Sequence, residues 1–243
     1  MRRAALALAT VLGVFLLGDS VLPWPWLSLH AQTQPRPKPH GRLFPPQDLG
    51  LLEAPDRDIW QHPDQIMDTL GIAEAAVVAD IGAGSGWFTI RLARRVGPNG
   101  TVYAEDVQPE AVTAISRRVN AEGLLNVRPR LGNGSDPGLP RSTLHAALIV
   151  DAYHEIEDRI TLLRNLAKSL RPEGRIGVVD FKLEGGGPGP PTEERVKPEL
   201  VVQDAQRAGL RLLRQETFLP YQYFLIFGLE PNPTVPAPTR RPE

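Results

Sequence analysis

The run Ala76-Val77-Val78-Ala79-Asp80-Ile81-Gly82-Ala83-Gly84-Ser85-Gly86 ends an apolar β-pattern in a carboxylate, two residues ahead of three alternating glycines. Further on, the apolar run Thr101-Val102-Tyr103-Ala104 ends in Glu105-Asp106. Strand, glycine turn, helix, strand and acid, in that order, is the layout of a nucleotide-binding βαβ unit. Glycines belong in such a turn because a side chain would keep the backbone away from a ligand lying across it. The dinucleotide fingerprint G-x-G-x-x-G requires its third glycine one residue later, where this chain has Trp87. Asp80 at the strand tip would moreover repel a diphosphate and attract a cation.

Composition narrows the chemistry. The 243 residues carry 27 Lys+Arg and 28 Asp+Glu, a net charge of −1 with no long basic block, which argues against an electrostatically captured nucleic acid. There is no cysteine, so disulfides, thiol nucleophiles and thiolate metal sites are excluded. The five histidines (His30, His40, His62, His145, His154) show no i, i+4 pairing, and no metal site is expected.

The elements that must position these residues alternate. Apolar spacing at Ile59, Trp60, Ile66, Met67 and Leu70 predicts a helix over 57–70, stopped by Gly71. Strands follow at 76–81, 101–106, 126–131, 144–150, 174–181, 210–218 and 222–229, with helices at 86–96, 108–122, 156–170 and 193–208. Gly97-Pro98-Asn99-Gly100 and Arg171-Pro172-Glu173-Gly174 read as turns. The expected fold is α/β: a doubly wound, seven-stranded, mostly parallel sheet, with ligands at the carboxyl ends of the strands. The short Leu219-Pro220-Tyr221 connection makes the closing pair a hairpin and the last strand antiparallel. This domain occupies 55–229, preceded by a Pro-rich linker over 32–54 and followed by a Pro-rich tail over 230–243.

Residues 1–31 read separately. Arg2-Arg3 precede an apolar run from Ala4 to Leu17, and Leu29-His30-Ala31 before Gln32 offers a cleavage site, so the segment resembles a secretory signal peptide. Val21, Leu22 and Trp24 to Leu29 could instead extend it into an interfacial anchor. Either version places the domain outside the cytoplasm, exported or membrane-anchored facing outward. A retained leader or a wrongly chosen start codon is the cytoplasmic alternative.

The D-I-G-A-G-S-G of residues 80–86 resembles the first motif of class I S-adenosylmethionine-dependent methyltransferases, and A-E-D-V at 104–107 resembles their second-strand motif. The resemblance spans roughly 55–229. It is closest to a bacterial group of undefined substrate that also carries R-D-x-W-Q-x-P, D-x-Y-H, D-F-K and L-P-Y-Q-Y-F. It implies a Rossmann-like methyltransferase fold, S-adenosylmethionine as cofactor and a small-molecule methyl acceptor. Asp80 would then hold the methionine ammonium, while Gly82, Ala83, Gly84 and Gly86 pack against methionine and ribose. Strand alternation lets only one of Glu105 and Asp106 face the ligand; the family aligns at Asp106, which would accept both ribose hydroxyls, and Val107 would cover an adenine face. The loop Gly132-Asn133-Gly134-Ser135-Asp136 would read the adenine edge. The family's acid after the first glycine is Asn133 here, so Asn133, Ser135 and Asp136 remain alternatives.

By the same resemblance, the fourth-strand tip lies beneath the transferable methyl. Asp151 could cap the methionine amine, with Tyr153 and His154 facing the acceptor; His154 is the histidine placed for proton transfer near neutral pH. The D-A-Y-H of residues 151–154 departs from the N/D-P-P-Y/F of amino-methylating families. Trp60, Gln61, Lys182, Tyr221 and Gln222 complete the expected acceptor pocket, and the Gly/Pro-rich loop 184–191 reads as either flap or linker. Two other readings compete: an exported module that binds cofactor without turnover, and a nicotinamide-dependent oxidoreductase. Oligomeric state and acceptor identity are not legible.

Overall fold

The computed structural model describes residues 43–184 and 186–230. The expected leader, residues 32–42 of the linker and residues 231–243 of the tail lie outside them. Seven strands, β1 (Val77–Ile81), β2 (Thr101–Asp106), β3 (Val127–Leu131), β4 (Leu144–Val150), β5 (Leu170–Phe181), β6 (Leu210–Glu216) and β7 (Gln222–Leu229), form one sheet in the order β3-β2-β1-β4-β5-β7-β6. β3 to β5 pair in parallel, while β7 runs antiparallel between β5 and β6. The strand order reverses between β1 and β4, and an open α/β sheet forms its ligand crevice at that reversal.

Helices α1 (Arg57–Gln61), α2 (Pro63–Leu70), α3 (Trp87–Val96), α4 (Pro109–Ala121), α5 (Arg159–Ser169) and α6 (Pro198–Arg207) cover the sheet. Its central strands are mostly apolar in their middles, as a sheet buried on both faces requires: Val78, Ala79, Ala147, Leu148, Ile149, Val178 and Val179 are all buried. Among the described residues no helix is long and apolar enough to cross a membrane.

Four departures from the sequence pattern are the largest. The helix expected over 57–70 breaks at His62 (φ 48°), because Pro63 disfavours helical backbone in the residue before it. Arg171–Gly174, expected as a turn, continues β5 across a register shift against β4. α6 starts at Pro198 rather than 193, since proline suits the first helical turn. Residues 46–53, placed in the linker, form a 3-10 helix that lies over the carboxyl edge of the sheet.

Candidate cofactor and acceptor site

A cavity of about 1180 Å³ opens at the carboxyl ends of the central strands. One half is built by the tips of β1, β2 and β3. β1 delivers Asp80, 2 % exposed, whose Oδ2 accepts a 2.6 Å hydrogen bond from Thr89 Oγ1 on α3. Burial pushes its carboxyl up to about 6, the Thr89 hydrogen bond and Arg57 pulling the other way. The glycine turn follows, with Gly82, Gly84 and Gly86 all at positive φ. A Cβ at Gly82 would stand 2.6 Å from Ala152 Cβ, so bare backbone is what lets β1 and β4 close on each other there. Ser85 lines the cavity with a buried hydroxyl that has no partner among the described residues.

β2 ends in two acids, and both line the cavity. Strand alternation, which should have let only one of them do so, fails at the strand's last residue. Asp106 Oδ2 accepts from Gly84 N–H and its Oδ1 from Gln108 N–H, each at 2.9 Å. Glu105 is tucked beneath Gly132, where any Cβ would collide with its carboxylate. Burial and then the charge of Asp106 push Glu105 up to about 7, against the Gly82 N–H. Val107, Ala83, Asn133, Gly134 and Ser135 also line this half. Asp136 does not: its Oδ1 accepts from Gly138 N–H and makes a turn, while the Asn133 side chain accepts from Asp136 N–H and Ser135 N–H.

The other half is walled by Trp60, Phe181 and Tyr221, with Trp60 ring centroids 6.3 Å and 6.2 Å from the other two. Residues 188–191 of the Gly/Pro-rich loop close it. Gly187 and Gly189 lie against the Tyr221 and Phe181 rings at distances no Cβ would tolerate. Arg195 fastens the loop by donating to the carbonyls of Pro190 (2.9 Å), Lys182 (2.8 Å) and Pro188 (3.3 Å). Phe181 was not among the expected pocket residues. It sits in D-F-K, a motif that identifies a group of proteins without saying which side chain faces a ligand.

Several expected acceptor residues are relocated. Tyr153 is fully buried, and its hydroxyl donates to Asp204 Oδ2 on α6 at 3.0 Å, so it braces the core rather than facing an acceptor. Gln61 and Gln222 are also fully buried, outside the cavity wall, and both donate to the Asp151 carboxylate. Lys182 Nζ donates to the carbonyls of Leu219 (2.8 Å) and Pro220 (3.3 Å), pinning the β6–β7 hairpin turn. Asp151 does line the cavity, at φ 56°, but it is the hub of a polar network. Arg57 Nη2 reaches its Oδ2 at 2.9 Å, as does Gln61 Nε2, and Arg57 also donates to Leu52 O at 2.6 Å. Burial, only partly offset by Arg57, holds Asp151 up at about 6.

His154 lines the cavity as expected, with an unexpected protonation state. Its backbone N–H and ring Nδ1 both meet Asp180, a carboxylate with no exposed surface, at 2.9 Å and 3.0 Å. Burial pulls the imidazole down, but the charge and hydrogen bond of Asp180, then Glu155, override it and raise it to about 9. At neutral pH His154 is therefore a cation and no proton acceptor. Its stabilising contribution is full below about pH 6.5 and is lost as pH climbs through 9. The buried carboxylates Asp80, Glu105 and Asp151 act earlier: raised in the fold, they lower stability as pH rises from about 4 to 7.

The 3-10 helix Pro46–Glu53 covers the cavity with Leu49 and Leu52. Phe44 latches it: its N–H donates to Glu155 Oε2 at 2.9 Å, and its carbonyl accepts from Gln108 Nε2 at 3.0 Å. An acidic, glycine-floored half beside an aromatic half under an apolar cover suits a cationic nucleoside next to a second, less polar molecule. Among the described residues no group of His, Asp and Glu could hold a metal ion.

Comparison with known proteins agrees with this geometry. A family described as "Methyltransferase domain" matches residues 78–174. Nocamycin O-methyltransferase of Saccharothrix syringae is 30% identical over 54% of this chain and 44% of its own. Ubiquinone/menaquinone biosynthesis C-methyltransferase UbiE of Pasteurella multocida is 27% identical over 54% and 48%. The chain thus spans about half the length of the curated relatives it matches. A crystal structure of a SAM dependent methyltransferase from Aquifex aeolicus superposes with a TM-score of 0.74 at 28% identity, covering 77% of this chain and all of that one. With the expected seven-stranded, mostly parallel sheet, the antiparallel β7 and the glycine cradle all in place, the chain belongs to the class I S-adenosylmethionine-dependent methyltransferase superfamily.

Proposed function

We propose that this chain transfers a methyl group from S-adenosylmethionine to a small-molecule acceptor. The observation that carries this reading is a single cavity joining the acidic glycine cradle to the aromatic wall. Its volume, about 1180 Å³, exceeds the ~300–1,000 Å³ of a pocket for one small ligand. Strand spacing puts the tips of β2 and β5, three strands apart, roughly 14 Å from each other.

The residues present fit the cofactor. The Asp106 carboxylate, already set by two backbone amides, would take the ribose hydroxyls, and the Ser85 hydroxyl is free for a polar partner. Asp80 and Glu105 supply negative potential for the ammonium and sulfonium. When bound, the cofactor supplies an electrophilic methyl on an activated leaving group. The protein then needs no nucleophile of its own. The glycine turn and Asp106 fix the donor, Trp60, Phe181 and Tyr221 fix the acceptor, and Leu49 and Leu52 keep water out.

Calorimetric titration of the full chain tests this. S-adenosylmethionine binds and NAD does not, and Asp106→Ala weakens the complex about ten- to a hundredfold, as loss of a hydrogen bond to a charged group predicts. Affinity also rises with pH. Asp80 and Glu105 titrate near 6 and 7, and only their ionised forms attract a cation, so binding strengthens about tenfold from pH 5 to 8. Tight NAD binding, or affinity that falls across this range, would refute the reading.

A further inference from the structure

The acceptor half of the cavity has a polar feature that positioning of the cofactor leaves unused. His154, 8 % exposed, turns Nδ1 onto Asp180, and Nε2 makes no hydrogen bond among the described residues. Glu155 Oε1 lies 3.7 Å from Nε2, beyond hydrogen-bond length. Carboxylates thus flank both ring nitrogens, Asp180 from β5 and Glu155 beside the ring, while Asp151 adds a third charge from the end of β4. That arrangement keeps both nitrogens protonated at neutral pH, so Nε2 is a donor awaiting a lone pair. The other cation of the wall, Arg57, is already committed to Asp151 and Leu52 O.

We propose that Asp180 is a positioning residue that presents His154 Nε2–H to the acceptor, and that this half of the cavity takes an uncharged aromatic ring bearing a hydroxyl or carbonyl oxygen. The ring would lie against Trp60, Phe181 and Tyr221. An ammonium group cannot accept a hydrogen bond from Nε2–H. A carboxylate or phosphate would meet Glu155, Glu157, Asp158 and Glu194 in the same wall, and the His154 charge that could answer it is already balanced by Asp180 and Glu155. The inference rests on the acceptor site proposed above but stands or falls separately.

Three probes share one ring: 1-naphthol, 1-naphthoate and 1-(aminomethyl)naphthalene. Each is titrated at pH 7 into the free chain and into its complex with S-adenosylhomocysteine. Naphthol binds at least about tenfold more tightly than the other two, and His154→Phe removes about ten- to a hundredfold of its affinity. Nitrogen-15 NMR of the ring reports the positioning role. Both nitrogens of His154 stay protonated up to about pH 9; Asp180→Asn moves that titration down, and Asp180→Glu restores part of it. Equal or tighter binding of the charged probes, or naphthol binding indifferent to His154→Phe, would overturn the proposal. Failure of S-adenosylhomocysteine alone to bind would instead count against the proposed function, and the free-chain titrations would still decide this one.

Discussion

Arg57→Ala is expected to cost about 3–5 kcal/mol of folding stability, the penalty for leaving a buried carboxylate without its cation. The guanidinium and the Asp151 carboxylate are both largely buried, 9 % and 13 % exposed at the side chain. Arg57 also donates to Leu52 O and lies 4.3 Å from the Trp87 ring centroid, so one substitution unties α1 from β4, from the covering 3-10 helix and from α3. The deficit depends on pH in a defined direction. Asp151, already held up at about 6, rises further without Arg57 and becomes neutral as pH falls, so the loss is largest above pH 7 and shrinks toward pH 5. Denaturant unfolding at those two values measures it. Pairing Arg57→Ala with Asp151→Asn should recover part of the loss, and the cycle isolates the charge pair from the lost packing.

Gly82→Ala is expected to cost about 2–5 kcal/mol and to reduce cofactor affinity with it. A side chain at φ +67° costs ~1–2 kcal/mol in backbone strain. The new Cβ, 2.6 Å from Ala152 Cβ, adds ~1–3 kcal/mol of overpacking between β1 and β4. Gly134→Ala supplies the control: its φ is +82° but no atom lies within 4 Å of its Cβ, so only the backbone strain applies. Thermal unfolding should separate the two variants by several degrees, at ~2–4 °C per kcal/mol for a domain of this size. Equal shifts would mean that the strands do not close as tightly at Gly82 as the 2.6 Å approach requires.

Much of this was legible in the sequence because it is local. The glycine turn after an apolar strand, the acid ending β2 and the short hairpin before the last strand each announce themselves within a dozen residues. They suffice for a seven-stranded sheet with an antiparallel last strand and for the cradle. The acceptor half was legible in part. Trp60, Tyr221 and His154 reach the cavity as expected, but the roles of their neighbours depend on what lies across the chain. Tyr153 and His154 are adjacent, and which one faces the cavity is decided by Asp204 and Asp180, 51 and 26 residues away. Gln61 and Gln222 carry polar groups that look exposed in a motif, yet they are buried because Asp151 offers them an acceptor. The protonation of His154 was likewise invisible, since it follows from two carboxylates brought in by other elements. The 3-10 helix Pro46–Glu53 was hidden by its prolines, which read as linker until Leu49 and Leu52 are seen over the cavity.

The most direct measurement is a crystal structure of the full chain grown with S-adenosylhomocysteine. The expected density puts the ribose hydroxyls on Asp106, the amino-acid portion along the glycine turn beside Asp80, and the sulfur toward the half walled by Trp60, Phe181 and Tyr221. Adenosine bound away from Asp106, or a cavity that holds a phosphate-bearing nucleotide in preference, would contradict it.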